Sequence, residues 1–258
     1  MSCQQFTNKV IALTGSASGI GLETARLLAS RGARLSLADI QEEKLKDIQA
    51  QLESEYHFDV IITKVDVRKF EEVEAWIRKT IDHFGRLDGS ANLAGVAPKS
   101  IGLKSIVEQD LNEWEFVLGV NLTGTMNSLK AQLKVMANNG SIVNASSIRG
   151  LSGAAKNASY SSAKHGIIGL TRTAAKEVGG RGIRVNAICP GRISTPMLSA
   201  AEDSIGIHLQ PGSANYPPIA LGRDGEAKEV AQLVAFLLSD ESTYISGADV
   251  SIDGGWRC

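Results

Sequence analysis

The sequence is poor in the features that mark secreted, membrane-spanning or nucleic-acid-binding proteins. Its three cysteines in 258 residues (Cys3, Cys189 and Cys258) are too scattered for a disulfide framework or a zinc cluster. No apolar run approaches the ~20 residues that cross a bilayer. A net charge of −1, with acids and bases mixed along the chain, argues against nucleic acid or an anionic membrane as a partner. The opening residues hold no signal-peptide apolar region, so we expect a soluble, cytoplasmic protein.

What the sequence does contain is a repeated alternation of short apolar segments with segments of helical periodicity. The apolar segments predict strands over residues 9–14, 34–39, 59–65, 89–93, 141–145, 182–188 and 248–252. The periodic segments predict helices over residues 22–31, 41–56, 70–84, 111–138, 158–178 and 227–238. This alternation predicts an α/β fold, a doubly wound parallel sheet of about seven strands with helices on both faces. With no linker or repeat, residues 1–258 form one domain, irregular mainly at 196–222.

A glycine-rich turn joins the first strand to the first helix. It carries Gly15, Gly19 and Gly21, and glycine is needed where a turn is tight and where the backbone approaches a pyrophosphate closely. The helix that follows offers its free N–H groups and positive dipole end to the phosphates. The strand before and the helix after favour nucleotide binding over a tight turn without a ligand.

Asp39 ends the second predicted strand, where an acid can hydrogen-bond the adenosine ribose hydroxyls. A carboxylate there repels a 2′-phosphate, and the turn residues Ser16, Ala17 and Ser18 include no cation that would attract one. The sequence therefore favours NAD(H) over NADP(H). The alternative is a solvated strand-end aspartate, or a helix cap before Gln41.

Tyr160 and Lys164 stand four residues apart in a predicted helix, which places both on one face. A phenol has an unperturbed pKa of about 10 and is a poor proton carrier at neutral pH. A nearby cation lowers that pKa, so Lys164 makes Tyr160 a candidate general acid/base. For an isolated pair of this spacing, a core tyrosine and a solvated lysine would be the better interpretation.

In this order and spacing, the motifs resemble those of the short-chain dehydrogenase/reductase family over residues 9–256. The matching pieces are the glycine turn 14–21, Asp66-Val67, Asn92-Leu93-Ala94-Gly95, Asn121, Ser147, Tyr160 to Lys164, Pro190-Gly191 and Asp253 to Gly255. The resemblance implies a single-domain Rossmann fold and an NAD-dependent alcohol dehydrogenase/reductase. The stretch 89–95 and Trp114 look most like fungal secondary-metabolite dehydrogenases of the chanoclavine-dehydrogenase kind.

The resemblance also implies roles for four catalytic residues. Tyr160 exchanges a proton with the substrate oxygen, while Lys164 lowers its pKa and hydrogen-bonds the nicotinamide ribose. Ser147 holds and polarises that oxygen, and Asn121 completes a water-linked proton relay. Asn121 as a helix-interior residue bonded to backbone, and Ser147 as a strand-end cap, are the alternatives. The complete set argues against a degenerate, non-catalytic member of the family.

By the same resemblance, the expected NAD contacts follow the family's motifs. They are Gly15, Ser18, Gly19, Ile20, Gly21, Asp39, Ile40, Asp66, Val67, Asn92, Ala94, Gly95, Tyr160, Lys164, Pro190, Gly191, Ile193 and Thr195. The one departure is Leu93, where the family usually has a second asparagine, and we expect altered local packing there with intact catalysis. No metal is expected, because His57, His83, His165 and His208 lack ligand spacing. A homotetramer or homodimer, paired through 111–138 and 158–178 with small residues such as Gly166 and Gly169, is a further family expectation.

The substrate is expected to be a small, fairly apolar secondary or allylic alcohol, or the ketone. Candidate pocket residues include Ala97, Met197 and Tyr216, and the proline- and glycine-bearing segment 196–222 suits a lid. Arg149 could meet an acidic or multiply oxygenated substrate, although we expect a solvated surface side chain, the more common state of arginine. An NADPH-dependent ketoreductase and a non-redox, cofactor-binding member of the fold are the alternative functions.

Overall fold

A seven-stranded parallel sheet forms the centre of the computed structural model, which describes residues 5–56 and 59–257. Its strands are β1 (Val10–Thr14), β2 (Arg34–Asp39), β3 (Val60–Lys64), β4 (Gly89–Asn92), β5 (Ser141–Ala145), β6 (Arg184–Pro190) and, last in the chain, β9 (Asp249–Ile252). The spatial order β3-β2-β1-β4-β5-β6-β9 reverses direction between β1 and β4. Such a reversal opens a crevice at the carboxyl ends of the strands, where ligands bind in open α/β sheets.

Eight α-helices accompany the sheet within the described part of the chain. They are α1 (Gly19–Ser30), α2 (Glu42–Tyr56), α3 (Phe70–Phe84), α4 (Leu111–Leu118), α5 (Gly124–Val135), α6 (Ala158–Val178), α7 (Pro196–Ile205) and α8 (Ala227–Leu238). None of these described helices is both long enough and apolar enough to cross a lipid bilayer.

Alternate side chains of the strands pack in two separate hydrophobic cores, one on each face of the sheet. On one face, Leu13 of β1 packs in a cluster that includes Leu28 of α1 and Val234 of α8. On the other face, Ala12 packs in a cluster that includes Trp76 of α3 and Leu129 of α5. Because successive side chains of a strand point to opposite faces, these two clusters confirm the predicted sheet with helices on both sides.

Two of the sequence predictions about regular structure are wrong. The predicted helix 111–138 is interrupted by a π-helical turn at Gly119–Thr123 and ends at Val135. The segment 196–222, predicted to be irregular, begins with the ten-residue helix α7. Pro196 occupies the first turn of α7, where its missing N–H costs nothing, and the Thr195 side chain caps it by accepting from the Leu198 N–H at 3.4 Å.

A second, two-stranded parallel sheet was not predicted from the sequence. It pairs β7 (Ile193–Ser194) with β8 (Gly225–Glu226) and joins the two ends of the segment that contains α7. Strands of two residues carry almost no periodic signal, so sequence pattern does not reveal them.

Candidate active site

The predicted glycine turn lies at the crevice between β1 and β4, and its glycines are required by space. Gly15 adopts a left-handed conformation (φ +69°), and a Cβ there would lie 2.7 Å from the backbone N of Ala94. A Cβ at Gly21 would lie 2.0 Å from the carbonyl oxygen of Gly15. Side chains at these positions would therefore close the turn against the neighbouring strand or against the turn itself.

A groove runs from this turn along the ends of β1, β2 and β4. Most of the predicted NAD contacts line it, namely Gly15, Ser18, Gly19, Ile20, Gly21, Asp39, Ile40, Asp66, Val67, Ala94, Gly95 and Thr195. Sequence reasoning missed Val65, Leu93, Phe116 and Val120, which add apolar surface to its walls. A glycine turn before a helix N-terminus, followed by an apolar slot, fits the pyrophosphate and adenosine of a dinucleotide.

Asp39 is fixed at the groove by backbone hydrogen bonds. Its Oδ2 accepts from the Ala17 N–H and its Oδ1 from the Gln41 N–H, both at 3.0 Å. These bonds hold the carboxylate at the groove wall, in the turn that precedes α2. Among the described residues that line the groove, Arg68 is the only cation, and Asp66 binds it in a bidentate ion pair.

Asn92 does not line the groove, contrary to its predicted role as an NAD contact. It is buried in a cluster of amides, where its Nδ2 donates to Gln132 Oε1 at 3.1 Å and to Asn144 Oδ1 at 2.9 Å. Gln132 returns a bond to Asn92 Oδ1 at 2.8 Å, and Asn144 donates to the Thr171 hydroxyl at 3.0 Å. Asn92 therefore connects β4 and β5 to α5 and α6.

Tyr160 and Lys164 meet on one face of α6, as the spacing predicted. Lys164 is 4% exposed, and its Nζ lies 5.3 Å from the centroid of the Tyr160 ring. The same Nζ donates to the Ala145 carbonyl oxygen at the end of β5, at 2.8 Å. Burial lowers the pKa of Lys164 to about 8, because the charged ammonium loses water that one carbonyl does not replace.

The pKa of Tyr160 is shifted in the direction opposite to our expectation. Burial raises the pKa, since a phenolate is disfavoured away from water, while a hydrogen bond with Ser147 and the charge of Arg149 lower it in part. The two groups that favour the phenolate in the ligand-free protein are thus Ser147 and Arg149. Ser147 begins a short 3₁₀ turn, and its Oγ accepts from the Arg149 N–H at 3.1 Å, so its cap alternative is also present.

Asn121 lies at the centre of the π-helical turn and is 0% exposed. Its Oδ1 accepts from the Val96 N–H at 3.0 Å and its Nδ2 donates to the Val96 carbonyl at 2.9 Å. These bonds are the backbone-bonding alternative considered for this residue. A Cβ at Gly95 would lie 2.8 Å from Asn121 Oδ1 and 3.5 Å from Lys164 Nζ, so only glycine leaves the space between the two. Turns of this kind recur at functional sites.

A deep cavity adjoins the groove and contains Ser147, Tyr160 and Lys164 in its wall. Ile20, Leu93, Gly95, Thr195 and Met197 line both spaces, so the two are continuous. The other predicted NAD contacts, Pro190, Gly191 and Ile193, lie around the cavity rather than the groove, beside the catalytic residues.

Of the predicted substrate residues, Ala97, Met197 and Arg149 line the cavity. Arg149 is half-buried, so the expectation of a solvated surface arginine is wrong. Its guanidinium carbon lies 4.9 Å from the Trp256 ring centroid. Sequence reasoning missed Trp256 as a cavity residue, because it lies in the closing motif far along the chain.

Tyr216 does not line the cavity, contrary to prediction. Its hydroxyl donates to Asp224, and its ring stacks on Arg192, 5.6 Å from the guanidinium carbon. Arg192 donates to Asp224 at 2.7 Å and to Glu202 of α7 at 2.5 Å. This ion network connects α7 to the start of β8. The candidate lid is therefore held to the rest of the domain by charged side chains.

No group of three or more potential metal ligands occurs among residues 5–56 and 59–257. His57, Cys3 and Cys258 lie outside these ranges. Cys189 is a buried free thiol near Lys164, and burial raises its pKa to about 11.

Comparison with known proteins identifies the relatives of this chain. A sequence model of a family described as enoyl-(acyl carrier protein) reductase matches residues 15–257. The chain is 91% identical, over all 258 residues of both chains, to the short-chain dehydrogenase/reductase aba4 of Botryotinia fuckeliana (strain B05.10). The trans-4-hydroxycyclohexanecarboxylate dehydrogenase of Sinomonas cyclohexanicum is 35% identical, with 97% of this chain and 93% of that protein covered.

Among solved structures, the crystal structure of levodione reductase superimposes on this fold with a TM-score of 0.85. The two sequences are 37% identical, and the match covers 97% of this chain and 98% of that one.

Proposed function

Because the chain belongs to the short-chain dehydrogenase/reductase family, we propose that it is an NAD(H)-dependent oxidoreductase that interconverts a secondary alcohol and its ketone. The family resemblance inferred from the motifs is confirmed by these relatives. The observation that carries the proposal is the meeting of Tyr160, Lys164 and Ser147 in a cavity continuous with the dinucleotide groove. This arrangement places an acid/base group where a substrate and a dinucleotide would adjoin.

Three cavity residues have different roles in the transfer of the proton. Ser147 holds the substrate oxygen and stabilises negative charge that develops on it. Tyr160 accepts the proton of the alcohol, or donates one to the ketone oxygen. Lys164, fixed by the Ala145 carbonyl, supplies positive charge beside the phenol and would hold the nicotinamide ribose. Bound NAD(H) supplies the hydride chemistry, and the groove residues hold it.

The groove favours NAD(H) over NADP(H). Asp39 keeps a backbone-bonded carboxylate at its wall, and a 2′-phosphate would be repelled by that charge. Arg68, the groove cation, is neutralised by Asp66. Nothing else of positive charge lines the groove among the described residues.

The substrate that suits the cavity is a compact ring alcohol or ring ketone. Apolar side chains dominate the walls away from the catalytic residues, including Ile101, Leu198, Ile205 and Leu209. The name of the Sinomonas relative describes a cyclohexane alcohol as its substrate. A role in fungal secondary metabolism is proposed from the motif likeness, and the similar Botryotinia protein is also fungal.

We also propose a cytoplasmic homotetramer or homodimer. Exposed Phe116, Met126 and Val135 on α4 and α5 offer apolar surface for pairing. Glycine at position 166 is required within the chain, because a Cβ there would lie 2.8 Å from Leu122, and its place in an interface stays a prediction. Gly169 has open space beside it and suits a partner contact.

Tyr160→Phe tests the proposal. The purified variant should lose at least about 100-fold in NAD⁺-dependent oxidation of ring alcohols, followed by NADH absorbance, because it lacks the acid/base hydroxyl. Tyr244→Phe is the matched control, since Tyr244 is fully exposed. Unchanged activity in Tyr160→Phe would point to a different chemistry. An alcohol-independent cofactor-binding role would show as undiminished NAD⁺ binding with no turnover in either protein.

The cofactor is tested separately by thermal denaturation of the wild type. NAD⁺ should raise the Tm more than NADP⁺ at equal concentration, because ligands stabilise the state they bind. A larger shift with NADP⁺ would replace our assignment with an NADPH-dependent ketoreductase.

A further inference from the structure

The guanidinium of Arg149 has no anionic partner among residues 5–56 and 59–257. Two other sheltered arginines, Arg184 and Arg192, are satisfied by oxygen acceptors. Arg184 donates to the Leu237 carbonyl at 2.7 Å and to the Ser239 carbonyl at 2.8 Å, and Arg192 binds two carboxylates. Arg149 instead lies against the face of Trp256, a contact that leaves the edge of its planar group unpaired.

The position of Arg149 is fixed relative to the catalytic residues. Its backbone N–H is bonded to Ser147 Oγ at 3.1 Å, and its side chain lines the cavity that holds Tyr160. Trp256 is held in place by Asp253, whose carbonyl accepts from the Trp256 N–H at 3.2 Å and whose Oδ2 accepts from the Arg257 N–H at 2.9 Å. The unpaired donors therefore have a defined place in the cavity wall.

The cavity carries an excess of positive charge. Glu202 is the only acidic residue among the described lining residues, and it is bound to Arg192. That pairing leaves Lys164 and Arg149 without a counter-charge. Burying an unpaired cation is unfavourable, and burial lowers the pKa of Arg149 accordingly. A ligand that brings a negative charge would offset this cost.

We propose that Arg149, backed by Trp256, binds a carboxylate carried by the substrate at a distance from its reacting alcohol or ketone. The planar guanidinium presents paired N–H donors that match the two oxygens of a carboxylate. The indole face holds the group flat and excludes water from one side of the pair. This assignment rests on the proposed function, because it adds an anchoring group to the substrate of the same site.

A carboxylate site at Arg149 would make the enzyme selective for hydroxy acids and keto acids over neutral ring compounds. The probes are trans-4-hydroxycyclohexanecarboxylate and its carboxamide, which differ in charge and keep the same ring and alcohol. The wild type with NAD⁺ should show a higher kcat/KM for the acid than for the amide. In Arg149→Gln, the acid-to-amide ratio of kcat/KM should fall by at least about 30-fold, the scale of a lost charge-assisted hydrogen-bond pair.

Two further variants distinguish the effect of the Arg149 charge from that of its planar geometry and from general loss of protein function. Arg149→Lys keeps the charge but loses the fork, so its acid-to-amide ratio should lie between the wild type and Arg149→Gln. Arg223→Gln is the control, because Arg223 lies outside the cavity and pairs with Glu229 on the surface. Its ratio should equal that of the wild type.

Binding of an unreactive carboxylate can be measured without turnover, so it tests the carboxylate site independently of the redox activity. Calorimetric titration of the NAD⁺-saturated wild type should show binding of unreactive cyclohexanecarboxylate and at least about 10-fold weaker binding of cyclohexanecarboxamide. Arg149→Gln should abolish this difference.

Equal ratios in wild type and Arg149→Gln, with both alcohols oxidised, would overturn the carboxylate assignment and leave the proposed function standing. If neither alcohol is oxidised, calorimetry decides, and absent or charge-independent binding overturns it.

Discussion

The ammonium of Lys164 lies 5.3 Å from the ring centroid of Tyr160, and it donates its hydrogen bond to the Ala145 carbonyl. One helical turn of α6 thus carries the phenol and a buried cation, while the end of β5 fixes the cation. The lysine is held by backbone on one side and faces the tyrosine on the other. Its burial gives it a pH-dependent effect on folding that can be measured.

Lys164 should make the protein more stable as the pH rises from 7 to 9. Its pKa is about 8 in the folded protein against 10.5 for an unburied lysine, so the unfolded chain binds more protons in this interval. Unfolding then becomes less favourable with increasing pH, by about 1 kcal/mol in total. Urea denaturation at several pH values should show this gain in the wild type and not in Lys164→Met.

Lys176→Met is the control for that comparison, because Lys176 is an exposed lysine on the same helix. The raised pKa of Cys189, about 11 against 9.0 for an unburied thiol, lowers the stability of wild type and Lys164→Met alike from about pH 8 upward, so the difference between their slopes up to pH 9 is the quantity that reports Lys164. An equal slope in wild type and Lys164→Met would contradict the assigned pKa shift.

Arg149→Gln should move the pH dependence of alcohol oxidation to higher pH. In the proposed mechanism oxidation needs the Tyr160 phenolate, and the charge of Arg149 lowers the pKa of that phenol. Removing the charge raises the pKa, so the rising limb of kcat against pH should shift upward by up to about one unit. The neutral carboxamide substrate isolates this effect from substrate charge. A limb that stays in place would show that Arg149 does not act on Tyr160.

Gly95→Ala should abolish most of the activity of a folded protein. The added Cβ would lie 2.8 Å from Asn121 Oδ1, so that side chain must shift, while its distance of 3.5 Å from Lys164 Nζ is an ordinary contact. We expect kcat to fall by at least about 10²-fold, as small misplacements at an active site do. Gly179→Ala, with open space around position 179, is the matched glycine control. Circular dichroism should be unchanged in both, and full activity in Gly95→Ala would refute the crowding argument.

Asp39→Asn should weaken the choice of NAD⁺ over NADP⁺. The amide oxygen can still accept from the Ala17 or Gln41 N–H, so the turn keeps part of its support while the negative charge is lost. The ratio of kcat/KM for the two cofactors should change by at least about tenfold in favour of NADP⁺. An unchanged ratio would assign the discrimination to other groove residues.

Arg192→Met should loosen the segment that covers the cavity. Glu202 and Asp224 would lose their shared partner, and unpaired, partly buried carboxylates are costly. We expect faster limited proteolysis within residues 206–222 and a KM raised several-fold. Arg223→Met, which breaks a more exposed ion pair with Glu229, should leave both unchanged. Identical proteolysis of the two variants would argue against a role for the network in holding α7.

The regular elements that sequence predicted well are those with local signals. The bounds of β2, α3 and α6 agree with prediction, because their apolar spacing and flanking residues coincide. Helix α7 also has a local signal, Thr195 before Pro196, but the later prolines and the glycines of residues 196–222 favour an irregular segment. Whether a segment is a helix or a strand can therefore be predicted where residues adjacent in sequence determine it.

The rest depends on contacts between residues far apart in sequence. The π-helical turn exists where Asn121 bonds Val96 and Gly124 packs on Val67, and neither contact leaves a periodic trace. Asn92 was identified correctly as a motif residue, but its direction depends on partners in α5 and β5. The spacing correctly predicts that the catalytic side chains lie close together. Their pKa values depend on burial by distant residues, and only the structure reveals that burial.

The π-helical turn also restricts the number of residues in this part of the chain. Such a turn holds one residue more than a turn of α-helix, and consecutive α-helical residues are about 100° apart. Deleting one residue from Gly119–Thr123 would rotate α4 against α5 by that angle. Phe116 would leave the groove wall, and Asn121 would lose its place beside Gly95. Between these residues a change of length is more damaging than a change of side chain, so alignment gaps here should mark proteins with a different site.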